Sequence, residues 1–183
     1  LCIGLGWAVI IYSSMEFMKN LNMPDFARPF LAGLLALNLD AGMDAIAIRL
    51  GFWNWVIPLD IQWFGVPWGN FWAWYIVVTS FSGLLYWLRA HGWHTSKQTW
   101  RQWAYAPIAM VGSIAILAIT NSAFVNLFAN SEFASVMSML MLILSGLIIV
   151  FVTRPRIIPV QRLDIVVLAV PLVFHLFFNT LGF

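Results

Sequence analysis

Charge is what this chain has least of. Asp, Glu, Lys and Arg make up 9% of its 183 residues, against about 25% in an average soluble domain. Seven acids and nine bases cannot coat the surface that a soluble particle of this length turns to water, so a soluble single domain is excluded. Cysteine is almost absent. Cys2 is the single thiol, which excludes an intrachain disulfide and any zinc or iron–sulfur site built from cysteines. The bases form no dense tract, so a net charge of +2 does not point to nucleic acid, and none is expected as a partner. There is no P-loop, no G-x-G-x-x-G fingerprint and no set of histidine boxes for a di-iron centre. The first stretch lacks a basic n-region and a small-residue cleavage site, so it does not read as a signal peptide. With Leu1 leading, part of the natural N-terminus is expected to be missing.

What is present is apolar: 62% of the residues are hydrophobic and 16% aromatic. Crossing a bilayer takes about 20 apolar residues in a helix. Uncharged runs cover Leu1–Met15, Ile61–Leu88, Gln102–Ser131, Phe133–Thr153 and Ile165–Phe183. Phe30–Ile48 is a sixth stretch long and apolar enough to cross, but it contains Asp40 and Asp44. Barrel strands would alternate over about 10 residues, whereas these runs are apolar on both parities. The expectation is an all-α, polytopic transmembrane helical bundle. It would form one transmembrane domain over 1–183, with about six spans at 1–18, 29–48, 68–89, 106–129, 133–153 and 163–181. Breakers at Pro24, Gly51, Pro58, Gly65, Pro67, Gly92, Pro107 and Pro155 lie at or near the ends of these spans. Pro171 falls inside one, where a kink is expected.

Eight of the nine bases flank the first, third and fifth connections, leaving Arg49 on the other side. By the positive-inside rule this is a multi-pass protein of a cytoplasmic-type membrane with its basic loops cytoplasmic. Trp53, Trp55, Trp63, Trp68, Trp72 and Trp74 place six indoles within 22 residues of the second connection and the helix after it. A second cluster, Trp87, Trp93, Trp100 and Trp103, surrounds the third connection. Both can be interfacial belts, although the first is denser than anchoring requires.

Asp40 and Asp44 stand four residues apart, on the helix face that carries Gly33 and Leu37. Asp40 lies roughly 15 Å along the span from Phe30, and Asp44 roughly 6 Å further toward the Trp-rich loop. Carboxyls at that depth face the bundle interior and mark sites, and two of them side by side disfavour double ionisation. The bland alternative is structural: hydrogen bonds from neighbouring helices, or pairing with Arg49. Neither lysine is mid-span, so a retinal Schiff base is out. Asp40-x-x-x-Asp44 has the spacing of one half of an intramembrane prenyltransferase site, but a second acidic cluster to hold magnesium and diphosphate is missing. His91 and His94 read as an interfacial pair, His175 as a satisfied core histidine, and Asn121, Asn126 and Asn179 as interhelical hydrogen bonders. No metal site is expected.

The stretch Leu39-Asp-Ala-Gly-Met-Asp-Ala-Ile-Ala-Ile-Arg-Leu-Gly-Phe-Trp-Asn-Trp55, followed by Trp63-Phe-Gly-Val-Pro-Trp-Gly-Asn-Phe-Trp-Ala-Trp74, resembles the integral-membrane carotenoid biosynthesis family. Characterised members of that family are carotenoid 1′,2′-hydratases of the γ-carotenoid and bisanhydrobacterioruberin type. The shared pattern is an acidic pair ending a helix, a G-x-W-x-W element, then an aromatic-Gly-Val-Pro-x-x-Asn-Phe turn. It is clear over about Leu34–Trp87. Two departures stand out: Asp44-Ala45 replaces the family's usual Asp-Pro, and a Gly- and Tyr-rich N-terminal portion is lacking. The resemblance implies a reaction in which water adds across the terminal trisubstituted double bond of an acyclic carotenoid, without metal or cofactor. It implies Asp44 and Asp40 as the acid pair, and Trp53, Trp55, Trp63, Phe64, Gly65, Pro67, Trp68, Asn70 and Trp74 as substrate-binding residues. The implied partners are a carotenoid and membrane lipid. The competing reading is a non-catalytic subunit of a larger membrane or photosynthetic complex, which binds carotenoid in the same groove or uses it only to pack helices against other subunits.

Overall fold

The computed structural model describes residues 2–56, 62–128, 130–158 and 164–181. It is an all-α helical bundle. Six helices follow one another: α1 (Cys2–Phe17), α2 (Arg28–Arg49), α3 (Trp68–Ala90), α4 (Thr99–Leu127), α5 (Glu132–Thr153) and α6 (Asp164–Leu181). Four of them, α2 to α5, are long and apolar enough to cross a membrane. α1 has 16 residues, and the apolar stretch described in α6 is Ala169–Phe178. Among the described residues, four of the six expected spans meet the length and hydropathy that crossing requires.

The α2–α3 pair is the centre of the bundle, and small residues let it close. Ala32, Gly33 and Ala36 of α2 are buried, and a Cβ on Gly33 would run into Thr79 and the Tyr75 backbone of α3. Close approach of this kind is how helices associate where no hydrophobic force separates lipid from protein. Around the seam, Ile10 of α1, Leu39 of α2 and Trp74, Val77 and Val78 of α3 form the main core cluster. Two buried serines cost little because they bond their own helix: Ser82 Oγ donates to the Val78 carbonyl at 2.7 Å and Ser13 Oγ to that of Ile10 at 3.1 Å.

Two details depart from the sequence expectation. Pro107 does not mark a helix start, because α4 begins at Thr99 and runs through it. The extra turns are held from outside: Arg101 lies over the rings of Trp93 and Trp100 at 5.4 and 5.5 Å, and Gln102 donates to the Ser96 carbonyl at 2.8 Å. The connections also contain short strands. β1 (Leu21–Asn22) pairs antiparallel with β4 (Arg156–Ile157), and β2 (Gln62–Trp63) with β3 (Val66–Pro67). The first pair ties the α1–α2 connection to the α5–α6 connection. Arg28 braces the same corner, donating to Asp25 Oδ1 at 2.9 Å and to the carbonyls of Met18 and Leu21 at 2.5 and 3.3 Å.

Candidate functional site

α2 ends on a glycine device. Gly51 takes φ 74°, and the Phe52 amide returns to the Ala47 carbonyl at 2.9 Å, a Schellman closure that reverses the chain. The reversal carries Trp53, Asn54 and Trp55 back along the bundle. The chain then enters the β2–β3 hairpin, whose tip, Phe64 and Gly65, has φ 49° and 89°. Positive φ at both positions is the hairpin geometry that matches strand twist. Phe64 holds it at a cost of about 1–2 kcal/mol. Pro67, extended at φ −66° and ψ 141°, then caps α3, and its fixed φ sets the direction in which that helix leaves.

That direction places Asn70, in the first turn of α3, against the acid pair of α2. Asn70 Nδ2 donates to Asp40 Oδ2 at 3.0 Å and to Asp44 Oδ2 at 2.7 Å. Asp40 is 0% exposed and Asp44 4%. The two carboxyls also lie within hydrogen-bonding reach of each other. Asp40 Oδ1 is buried with no described protein donor.

Beside the pair is a cavity of about 680 Å³, within the range of small-molecule sites. Its wall is built by Gly6 and Trp7 of α1, Met43 and Asp44 of α2, Phe52 to Trp55 of the connection, Asn70 and Trp74 of α3, and Val173, Phe174, Phe177 and Phe178 of α6. Trp7 and Trp74 stack at 4.2 Å between ring centres. α6 is held against α2 by His175 Nε2, 2.9 Å from Asn38 Oδ1. Among the described residues, no three of His, Cys, Asp and Glu gather as a metal site requires. The arrangement is an apolar, aromatic chamber with three polar side chains other than indoles: Asp44, Asn54 and Asn70.

Of the residues singled out from sequence, Asp44, Trp53, Trp55, Asn70 and Trp74 meet at this wall, and Asp40 sits directly behind it. Trp63, Phe64, Gly65, Pro67 and Trp68 do not line it. Trp63 and Phe64 are 45% and 75% exposed, and Trp68 packs on Trp63 and Phe71 at 5.7 and 6.0 Å. The hairpin twist explains this, because the residue it turns inward is Val66. That side chain is fully buried, in the cluster that includes Leu37 of α2 and on which Ala41, Ala45 and Ile48 pack. Trp7, Asn54 and the phenylalanines of α6 are among the wall residues that the sequence did not reveal. An aromatic three residues before another on an apolar helix, as in Phe174 and Phe177, is the only local signal, and it is equally a lipid-facing pattern.

The sequence matches, over residues 1–145, the family described as carotenoid biosynthesis protein. The chain belongs to that family. The matched residues contain the acid pair, Asn70 and the tryptophans of the cavity, while α6 adds the remaining wall from beyond them. No curated protein and no solved structure matches the chain. A role in carotenoid biosynthesis, with a carotenoid as substrate in a membrane setting, follows from family membership and from the apolar helices.

Proposed function

We propose that the protein is a membrane carotenoid hydratase, adding water across the terminal trisubstituted double bond of an acyclic carotenoid. The observation that carries this reading is a buried carboxyl, Asp44, on the wall of an aromatic cavity, backed by a second carboxyl and bridged to it by Asn70.

The reaction begins with one end of the polyene in the chamber. Asp44, in its protonated form, gives its proton to the less substituted alkene carbon, and the π electrons form the new C–H bond. The cation left on the tertiary carbon faces Trp7, Trp53, Trp55 and Trp74, whose ring faces attract positive charge. Water then bonds to that carbon and returns a proton to the Asp44 carboxylate, so the acid is regenerated and the product is a tertiary alcohol. Asn54 and Asn70 are the neutral amides on the wall suited to hold that water. Asp40, behind the wall, shares the Asn70 bridge with Asp44 and so helps to hold that carboxyl in place. The basic connections face the cytoplasm in this reading.

Expression in a host that makes an acyclic carotenoid, followed by mass spectrometry of the pigments, tests it. A product heavier by one water supports the hydratase. Pigment that copurifies unaltered overturns catalysis and leaves carotenoid binding as the function.

A further inference from the structure

The bridge between the acids assigns Asn70 a role other than holding substrate. An amide nitrogen carries two protons, and both are spent here, one on each Oδ2 of the pair. The reversed amide would aim its own oxygen at two acceptors, so the partners fix its orientation. With both Oδ2 atoms already accepting from Asn70, the Oδ1 atoms are where a proton on the pair competes with no amide donor. Asp40 Oδ1 is buried without a described donor, a costly situation for an acceptor. A proton there converts it from an unsatisfied acceptor into a donor, and the Asp44 carboxyl lies within hydrogen-bonding reach of the Asp40 carboxyl. Asp44 and Asn70 line the cavity, and Asp40 does not. The exit for that proton is therefore through Asp44.

We propose that Asn70 is the positioning residue of the acid pair: its two N–H groups lock Asp40 and Asp44 in one mutual orientation, so the shared proton lies on the Oδ1 side and leaves toward the cavity through Asp44. The inference rests on the hydratase reading for its catalytic consequence, but the bridge itself is readable without turnover. Because Nδ2 is fully used by the acids, what Asn70 offers the cavity is its carbonyl oxygen, an acceptor for a water O–H.

The test uses the full chain in lipid, with N70L as an apolar replacement of similar size and N70S as a smaller one that leaves space. Infrared spectra of the protonated carboxyl C=O stretch, assigned by its loss or shift in D40N and D44N, report the pair directly. Turnover of an acyclic carotenoid is measured alongside. The expected result is a displaced carboxyl band in both Asn70 variants, with kcat lowered about 10–100-fold and KM nearly unchanged, as misplacement of a reacting group predicts. A carboxyl band in N70L and N70S that superimposes on wild type overturns the proposal, as does a loss of rate that merely tracks lost folded protein. A displaced band in a protein whose wild type hydrates no carotenoid upholds the bridge and overturns the hydratase reading instead.

Discussion

α2 and α3 differ from α4 and α5 in the opposite sense from helices of a soluble protein. The most apolar 18-residue stretches of the first two have mean hydropathies of 1.5 and 1.3 with 44% of each buried within the chain, while those of α4 and α5 reach 2.0 and 2.6 with 17% and 11% buried. The most apolar helices are the ones least covered by protein. In water this would be unstable, since large exposed apolar faces drive association; in lipid it is the expected partition, with polar groups turned inward. The comparison separates two jobs. α4 and α5 turn outward the faces suited to hydrocarbon, and α2 and α3 form the polar interior, where Asn70 bridges Asp40 and Asp44.

The contrast can be broken by mutation, and the expected effects fall in order. Asp44→Asn in the interior should reduce carotenoid turnover by about 10²–10⁴-fold, the contribution of a positioned general acid. Folding and pigment retention should persist, because the amide is nearly isosteric; turnover and pigment content of the purified variant check this. Gly33→Ala at the α2–α3 seam should destabilise the protein by about 1–3 kcal/mol, since the added methyl meets Thr79 and Tyr75. Unfolding by denaturant in detergent micelles reads that loss. Phe177→Ala, on the α6 wall of the cavity, should weaken pigment retention roughly tenfold or more, the worth of one buried aromatic contact. Leu144→Ala on α5, where the side chain is 53% exposed, should change stability by less than about 0.5 kcal/mol. A large effect there, matching that at Gly33, would mean that protein and not lipid covers α5.

The all-α bundle and the acid pair were legible in the sequence because both are local signals: charge-free runs of helical length, and two carboxyls four residues apart inside one of them. Asn70 was marked by the family pattern, but its bridge was not, since the contact spans 30 and 26 residues of chain and depends on how the hairpin aims α3. Trp7 and the phenylalanines of α6 were invisible as a site for the same reason. They converge on Asp44 only through tertiary packing, and alone each is one more aromatic in an apolar helix. Two-residue strands carry no period to detect. At the hairpin tip the twist turns Val66 inward and leaves Phe64 outside, which no local sequence pattern announces. Pro107 was read as a boundary, yet stacking of Arg101 on Trp93 and Trp100 sustains helix on both sides of it.

The central claim is that Asp44 protonates a carotenoid alkene inside the aromatic chamber and that water completes the addition. The direct measurement is incubation of the purified chain in lipid with an acyclic carotenoid in water enriched in oxygen-18, comparing wild type with Asp44→Asn by mass spectrometry. The account predicts a tertiary alcohol carrying the heavy oxygen from the wild type and none from the variant. Equal labelled product from both proteins, or an unaltered carotenoid from a wild type that retains the pigment, would contradict it.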